Sequence, residues 1–173
     1  MELILGTPFV YSLNLKPYVE GKRGIPKYPV DSVIITQKGI LGDYNKFREE
    51  KNRGLRDIDK NDFALLLLPQ EVISDLRTFQ RWPVNPGDLG ENITTRGISY
   101  ESFSAGQVYQ IGRDIRIEIT QEAHPCGNLK TLDYIGENRY FDFKEVIKGR
   151  RGWYSKVLKK GNINVGDNIY LID

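Results

Sequence analysis

Apolar and polar positions alternate along much of this chain with the period of a strand. The clearest stretch is "GQVYQIGRDIRIEITQEA", in which Ile115, Ile117 and Ile119 interleave with Arg116, Glu118 and Thr120. Side chains two apart share a face, so this arm has one apolar side and one polar side, and the stretch predicts a β-hairpin. "LILGTPFVYSLNL" reads as a further strand, and "DSVIITQKGILGD" as a β-branched strand running into a Gly-Asp turn. Four leucines before Pro69 read as a short buried strand. Pro69 suits the first turn of a helix, with Glu71 in that turn and Val72, Ile73, Leu76 and Phe79 at helical spacing.

The intervening stretches are polar and rich in Gly and Pro. "KPYVEGKRGIPKYPV" reads as a loop, and the charged "DYNKFREEKNRGLRDIDKN" as a surface loop. "PVNPGDLGENITTRGISYESF" reads as turns around one short strand. The segment from Leu132 onward reads as short strands or a helical turn and then a final hairpin. Many short strands with frequent turns predict a mainly β domain, a barrel or sandwich, with one or two short helices. A chain of 173 residues fits a single domain over residues 1–173.

Charge narrows the partners. Twenty-five basic and 23 acidic residues leave a formal charge of +2, so bulk charge does not point to nucleic acid. One cysteine cannot form an intramolecular disulfide, which favours a reducing compartment. No apolar run approaches the roughly 20 residues of a membrane span, and the first residues lack a signal-peptide pattern. A cytoplasmic location is expected.

The single histidine and the single cysteine stand two residues apart, as His124 and Cys126 in "QEAHPCGNLKTL". A lone cysteine is often a small buried hydrophobe. Cys126, however, follows a strand and lies between Pro125 and Gly127, where scaffolds present reactive groups to a loop. Its thiolate suits a soft metal or a nucleophilic role. His124 is a candidate base, but an extended chain puts the two side chains ~7 Å apart along the strand, too far for a dyad without a bend. In "PGDLGENITTRG", Asn92, Thr94 and Thr95 offer donors and acceptors and Arg96 a fixed charge. The alternative is a turn-rich connection with these side chains satisfying local backbone. In "KGRRGWYSKVLKKG", Arg150 and Arg151 stand beside Trp153 and Tyr154, a combination that suits an anionic, planar ligand or a solvated basic loop.

Taken in order, "GILGD", "PGDLGENITTRG", "PCGNL" and "GRRGWYSKVLKKGNINVGDNIYL" resemble the motifs of the MOSC family, named for the C-terminal domain of molybdenum cofactor sulfurase. The resemblance runs over essentially the whole chain and is greatest to small stand-alone MOSC proteins. It implies an antiparallel, Greek-key β-barrel and a molybdenum cofactor (molybdopterin) whose metal is bound by Cys126. It places Asn92 and Thr94 in matching motif positions where they would line the cofactor pocket, with Thr95 and Asn128 as further cofactor-binding candidates. From charge, Arg150, Arg151 and Arg96 are candidates for the pterin phosphate. Two departures stand out. Many relatives follow the Gly-Asp turn with a His-Gly-Gly element and a lysine, where in this chain Arg53, Arg56 or Lys60 would substitute in charge; and relatives often carry Arg at the place of His124.

Three functions follow from the resemblance. The first is a molybdenum-dependent reductase of N-hydroxylated small molecules. It would take electrons from a separate redox partner, because this chain has no flavin fingerprint and one cysteine cannot hold an iron–sulfur cluster. The second is a sulfur carrier or transferase with a persulfide on Cys126 for an acceptor protein or cofactor, without PLP. The third is a module that binds or delivers the cofactor without chemistry.

Overall fold

The computed structural model describes residues 6–51 and 61–173, with backbone alone for residues 48–51. Eleven strands alternate with three helices: β1 (Phe9–Leu15), β2 (Tyr28–Val30), β3 (Ser32–Thr36), β4 (Gly39–Ile40), α1 (Tyr44–Lys51), β5 (Leu65–Pro69), α2 (Gln70–Thr78), β6 (Ile93–Arg96), β7 (Val108–Ile111), β8 (Ile115–Glu122), α3 (Gly136–Ile147), β9 (Trp153–Lys159), β10 (Gly161–Asn164) and β11 (Ile169–Leu171). Two short 3-10 turns, Tyr100–Ser102 and Gly127–Thr131, complete the order.

The hairpin read from alternation is β7–β8, paired Tyr109 to Ile117 and Ile111 to Ile115. Ile115, Ile117 and Ile119 are all buried, so the apolar face of the pattern is the core face. The leucine run is β5, buried at every position. Leu65 and Leu67 enter the core between the strands, whereas Leu68 enters a second core beneath the helices. A strand covered on both faces needs a continuous apolar run, which is why β5 lacks alternation.

Eight strands form one sheet in the order β11-β7-β8-β9-β5-β6-β1-β2, and β10-β3-β4 form a smaller one. The domain is mainly β, as expected, but the sheet is mixed. β5 and β6 run parallel, because α2 and the turns after it carry the chain back to the same end. The sheet curls until β1 meets the segment leading into β11. There an isolated bridge, Phe9 to Asn168, and hydrogen bonds from Ile169 N to Pro8 O and from Val10 N to Asp167 O join the two (2.8 Å each). This seam is not a continuous ladder, so the expected Greek-key barrel remains open.

Three other expectations are corrected. The charged segment after Gly42 begins as helix α1 instead of a loop; Arg53, Arg56 and Lys60 lie outside the described residues. The segment after Leu132 contains a three-turn helix, α3, whose Tyr140, Phe143 and Ile147 face the second core. Its apolar stripe is narrow, with Phe141 71% exposed, which hid the helical period. The final hairpin does not form: β10 pairs with β3 and β11 with β7. The α2 helix ends at Thr78, and Phe79 lies in solvent while Val72, Ile73 and Leu76 pack inward.

Candidate functional site

Where β1, β5 and β6 come together, the core carries a buried polar network instead of methyl groups. Asp43, set by the turn after Gly42, accepts hydrogen bonds from Lys16 N and Asn45 N (2.9 Å each) and from Asn92 Nδ2 (3.0 Å). The buried Lys27 ammonium donates to both Asp43 oxygens, at 2.7 and 2.8 Å. Asn92 Oδ1 accepts from Asn45 Nδ2 (2.8 Å) and Leu66 N (3.1 Å), which locks helix α1 to β5 and β6. Asn14 donates to Glu91 O (3.2 Å) and Thr94 Oγ1 (3.0 Å). Such a network specifies one arrangement of the loops, because each member left without its partner would be costly.

The glycine turn before β6 presses against this network. Lys27 N donates to Gly87 O at 2.8 Å, and a Cβ on Gly87 would stand 2.3 Å from Lys27 O. Gly87 also has φ +91°, so both the approach and the conformation require glycine. Its N–H donates to Glu91 Oε1 at 2.6 Å, and Thr94 Oγ1 adds a bond of 3.1 Å. Glu91 is wholly buried, and that burial pushes its carboxyl up to about 7 against the opposing influence of these hydrogen bonds and of Arg151.

Above this floor lies a cleft of about 270 Å³. One wall is the exit of β8. Ala123 N still bonds to Gly152 O (2.8 Å); then His124, Pro125 and Cys126 leave the sheet, and Leu129 anchors the following 3-10 turn in the second core. Cys126 precedes that turn in extended conformation, its thiol exposed. His124 is exposed as well, and no hydrogen bond joins it to Cys126. Lys27, Tyr44 and Asn45 also line the cleft, with Arg151 just before β9 and Tyr154 within it. Arg151 is 5% exposed, and its Nε and Nη1 meet no acceptor among the described residues.

The structure therefore brings His124, Cys126, Asn128 and Arg151 to one cleft. Asn92, Thr94 and Thr95 lie fully buried, the first two within the network that fixes the loops. Arg96 is exposed, with its guanidinium 5.9 Å from the Tyr11 ring centre. Arg150 pairs with Asp75 and donates to Val146 O (3.0 Å), so it does not share the cleft with Arg151. Sequence reasoning missed Lys27, Asp43, Asn45 and Glu91. Only Glu91 carried a local signal: period two places it on the face of the buried Ile93.

Among the described residues, no group of three His, Cys, Asp or Glu side chains could hold a metal ion. No helix among those residues is long and apolar enough to cross a membrane.

Comparison with known proteins gives the family. A "Reductase" of the fungus Gibberella moniliformis is 36% identical over 92 residues, which is 50% of this chain and only 15% of that protein. The uncharacterised protein YflK of Bacillus subtilis is 26% identical over 175 residues, covering 94% of this chain and 72% of that one. Among solved structures, YiiM of Geobacillus stearothermophilus superposes with a TM-score of 0.72, at 24% identity over 96% of this chain and 75% of that chain. The YUAD protein of Bacillus subtilis gives 0.76 at 18% identity, over 95% and 94% of the two chains. These two share the fold. The MOSC domain model matches residues 54–170, more than half of the chain, and the protein belongs to the MOSC domain family.

Proposed function

We propose that the cleft binds the molybdenum cofactor and that the protein reduces N-hydroxylated small molecules with electrons from a separate donor protein. One observation carries this reading: the exposed thiol of Cys126 and the unpartnered, nearly buried guanidinium of Arg151 share one cleft. The two donors match the two ends of the group. A thiolate suits a soft metal already held by dithiolene sulfurs, and a guanidinium without a carboxylate suits a phosphate. The lack of a protein-only metal cluster among the described residues fits a metal that arrives on an organic scaffold. The half-chain likeness to a fungal protein named as a reductase supports the reaction class.

In this reading Cys126 holds the metal and Arg151 the phosphate. Asn128 supplies a polar wall, and His124 shapes the mouth of the cleft. Lys27 stays tied to Asp43 and fixes the floor of the cleft. Asn92, Thr94 and Thr95 hold the scaffold from below. The bound cofactor supplies the two-electron metal centre that this polypeptide lacks.

The exposure of Cys126 favours one second reading, a persulfide carrier, since an accessible thiol beside an arginine suits sulfur transfer. Elemental analysis and pterin fluorescence of protein from a cofactor-making host decide between them. Molybdenum near one per chain in the wild type, lost in Cys126→Ser, is expected. No molybdenum in either protein, with an added sulfur on Cys126 by intact mass, would replace the first reading with the second.

A further inference from the structure

Glu91 and Arg151 are opposite charges that the fold withdraws from water beside the cleft without joining them. Glu91 is 0% and Arg151 5% exposed. Glu91 Oε2, Arg151 Nε and Arg151 Nη1 all lack a partner among the described residues. Gly90 connects the two: it lines the cleft, precedes Glu91 in sequence, and would bring a Cβ to 3.8 Å from Arg151 Nη2. The guanidinium lies beside the neighbour of Glu91 and acts on the glutamate through charge, with no hydrogen bond between them.

We propose that Glu91 is the proton-linked counter-charge of Arg151, ionised while the guanidinium faces an empty cleft and protonated when an oxyanion occupies it. The proposal rests on the reading that an oxyanion binds at Arg151.

Burial and the hydrogen bonds from Gly87 and Thr94 act on Glu91 first, and Arg151 is the charge that acts on it after them. Arg77, which donates to Val84 O and Asn85 Oδ1, acts on the neighbouring Asp88 and Tyr134. From the turn of Glu91 itself comes Asp88, which accepts a hydrogen bond from Tyr134 OH at 3.0 Å. The segment before α3 contributes that neutral Tyr134, held well above its ordinary range by burial and by the charges of Asp88 and Glu91. From β1 come Ser12 and Asn14, and from β6 comes Thr94, none of them charged. Lys27 touches Gly87 through its backbone, but its ammonium is bound by Asp43. Arg151 is thus the cation that acts on Glu91 itself, with no carboxylate bonded to its Nε or Nη1. An oxyanion placed on it cancels the attraction that keeps Glu91 ionised.

The carboxyl already stands at about 7, with burial raising it and Arg151 among the influences that lower it. Loss of the Arg151 contribution raises it further, so oxyanion binding takes up protons near neutral pH. Affinity is then greater at pH 6 than at pH 8. A rise of about one unit gives about a fivefold difference across that interval and an uptake of about 0.4 proton at pH 7.

Titration calorimetry with sulfate tests this, since sulfate does not itself titrate between pH 6 and 8. The heats are measured in two buffers of different ionisation enthalpy. Wild-type protein is expected to take up protons and to bind about fivefold more weakly at pH 8. Glu91→Gln keeps the acceptor for Gly87 and Thr94 and is expected to bind with neither effect. Sulfate binding without proton uptake in the wild type overturns the proposal while sparing the oxyanion site. Uptake that survives in Glu91→Gln overturns it too. Sulfate binding that is absent, or unchanged in Arg151→Gln, overturns the oxyanion site and the proposal together.

Discussion

The Lys27 ammonium lies 2.7 Å from Asp43 Oδ1, with both side chains almost completely removed from water. This pair joins the loop before β2 to the turn before α1, and Asn92 extends it to β6. It also fixes the floor of the cleft with a pair whose two charges cancel.

The two partners differ in what they leave behind. Asp43→Asn strands a buried ammonium and is expected to cost about 3–5 kcal/mol. Lys27→Met is expected to cost less, because Asp43 keeps the N–H donors of Lys16, Asn45 and Asn92. Urea unfolding of both single variants and the double variant checks this. Equal costs for the two single variants would contradict it.

Glycine is required at Gly87 for two reasons and at Gly106 for one. Both have positive φ, +91° and +93°, but an added Cβ meets Lys27 O at 2.3 Å in the first case and nothing within 4 Å in the second. Gly106→Ala is expected to lose about 1 kcal/mol from conformation alone. Gly87→Ala is expected to lose about 3 kcal/mol or more, since the two loops must part. Thermal unfolding of the two variants side by side measures the difference.

Glu91 makes stability depend on pH in the direction opposite to a salt-bridged carboxylate. Its carboxyl is raised from the ordinary 4.5 to about 7, so between those values the folded state binds more protons than the unfolded. Stability from this group is fully present below pH 4.5 and is lost as pH rises through 7. The difference amounts to about 3 kcal/mol. Urea midpoints from pH 5 to pH 8 should fall more steeply in wild type than in Glu91→Gln. Parallel curves would show that Glu91 titrates normally in the fold.

The Cys126 thiol has no structural duty. It is exposed and makes no cap hydrogen bond to the turn that follows it. Iodoacetamide is expected to add once to the native protein, and Cys126→Ser to change stability by no more than about 0.5 kcal/mol. Protein loaded with the molybdenum cofactor is expected to resist alkylation. Labelling that needs denaturant would show the thiol to be buried.

Local pattern carried the parts of this fold whose neighbours in sequence are neighbours in space. The Ile115–Ile119 alternation, the leucine run of β5 and the proline start of α2 were all legible, since each obeys one period over a few residues. The destinations of β10 and β11 were not, because a strand's pattern gives its faces and not its partner. The site divides the same way. Cys126, His124 and Asn128 lie in one stretch and were proposed together, and Arg151 was proposed from its charge; the structure gathers all four at one cleft. Lys27 and Asp43 were overlooked because a charged residue in a polar loop reads as solvated; only a contact across 16 residues makes them a buried pair. Asn45 meets Asn92 across 47 residues, which no local window spans.

The cleft is assembled from the loop at Gly24, the turn at Asn45, the glycine turn at Gly90, the exit of β8 at Cys126 and the entry to β9 at Tyr154. These pieces are spread over 130 residues of sequence, so every wall depends on contacts that are slow to form during folding. During synthesis the guanidinium of Arg151 emerges after all the residues it will face across the cleft. A ligand of this cleft consequently meets a finished protein and not a growing chain, and loading follows folding instead of guiding it.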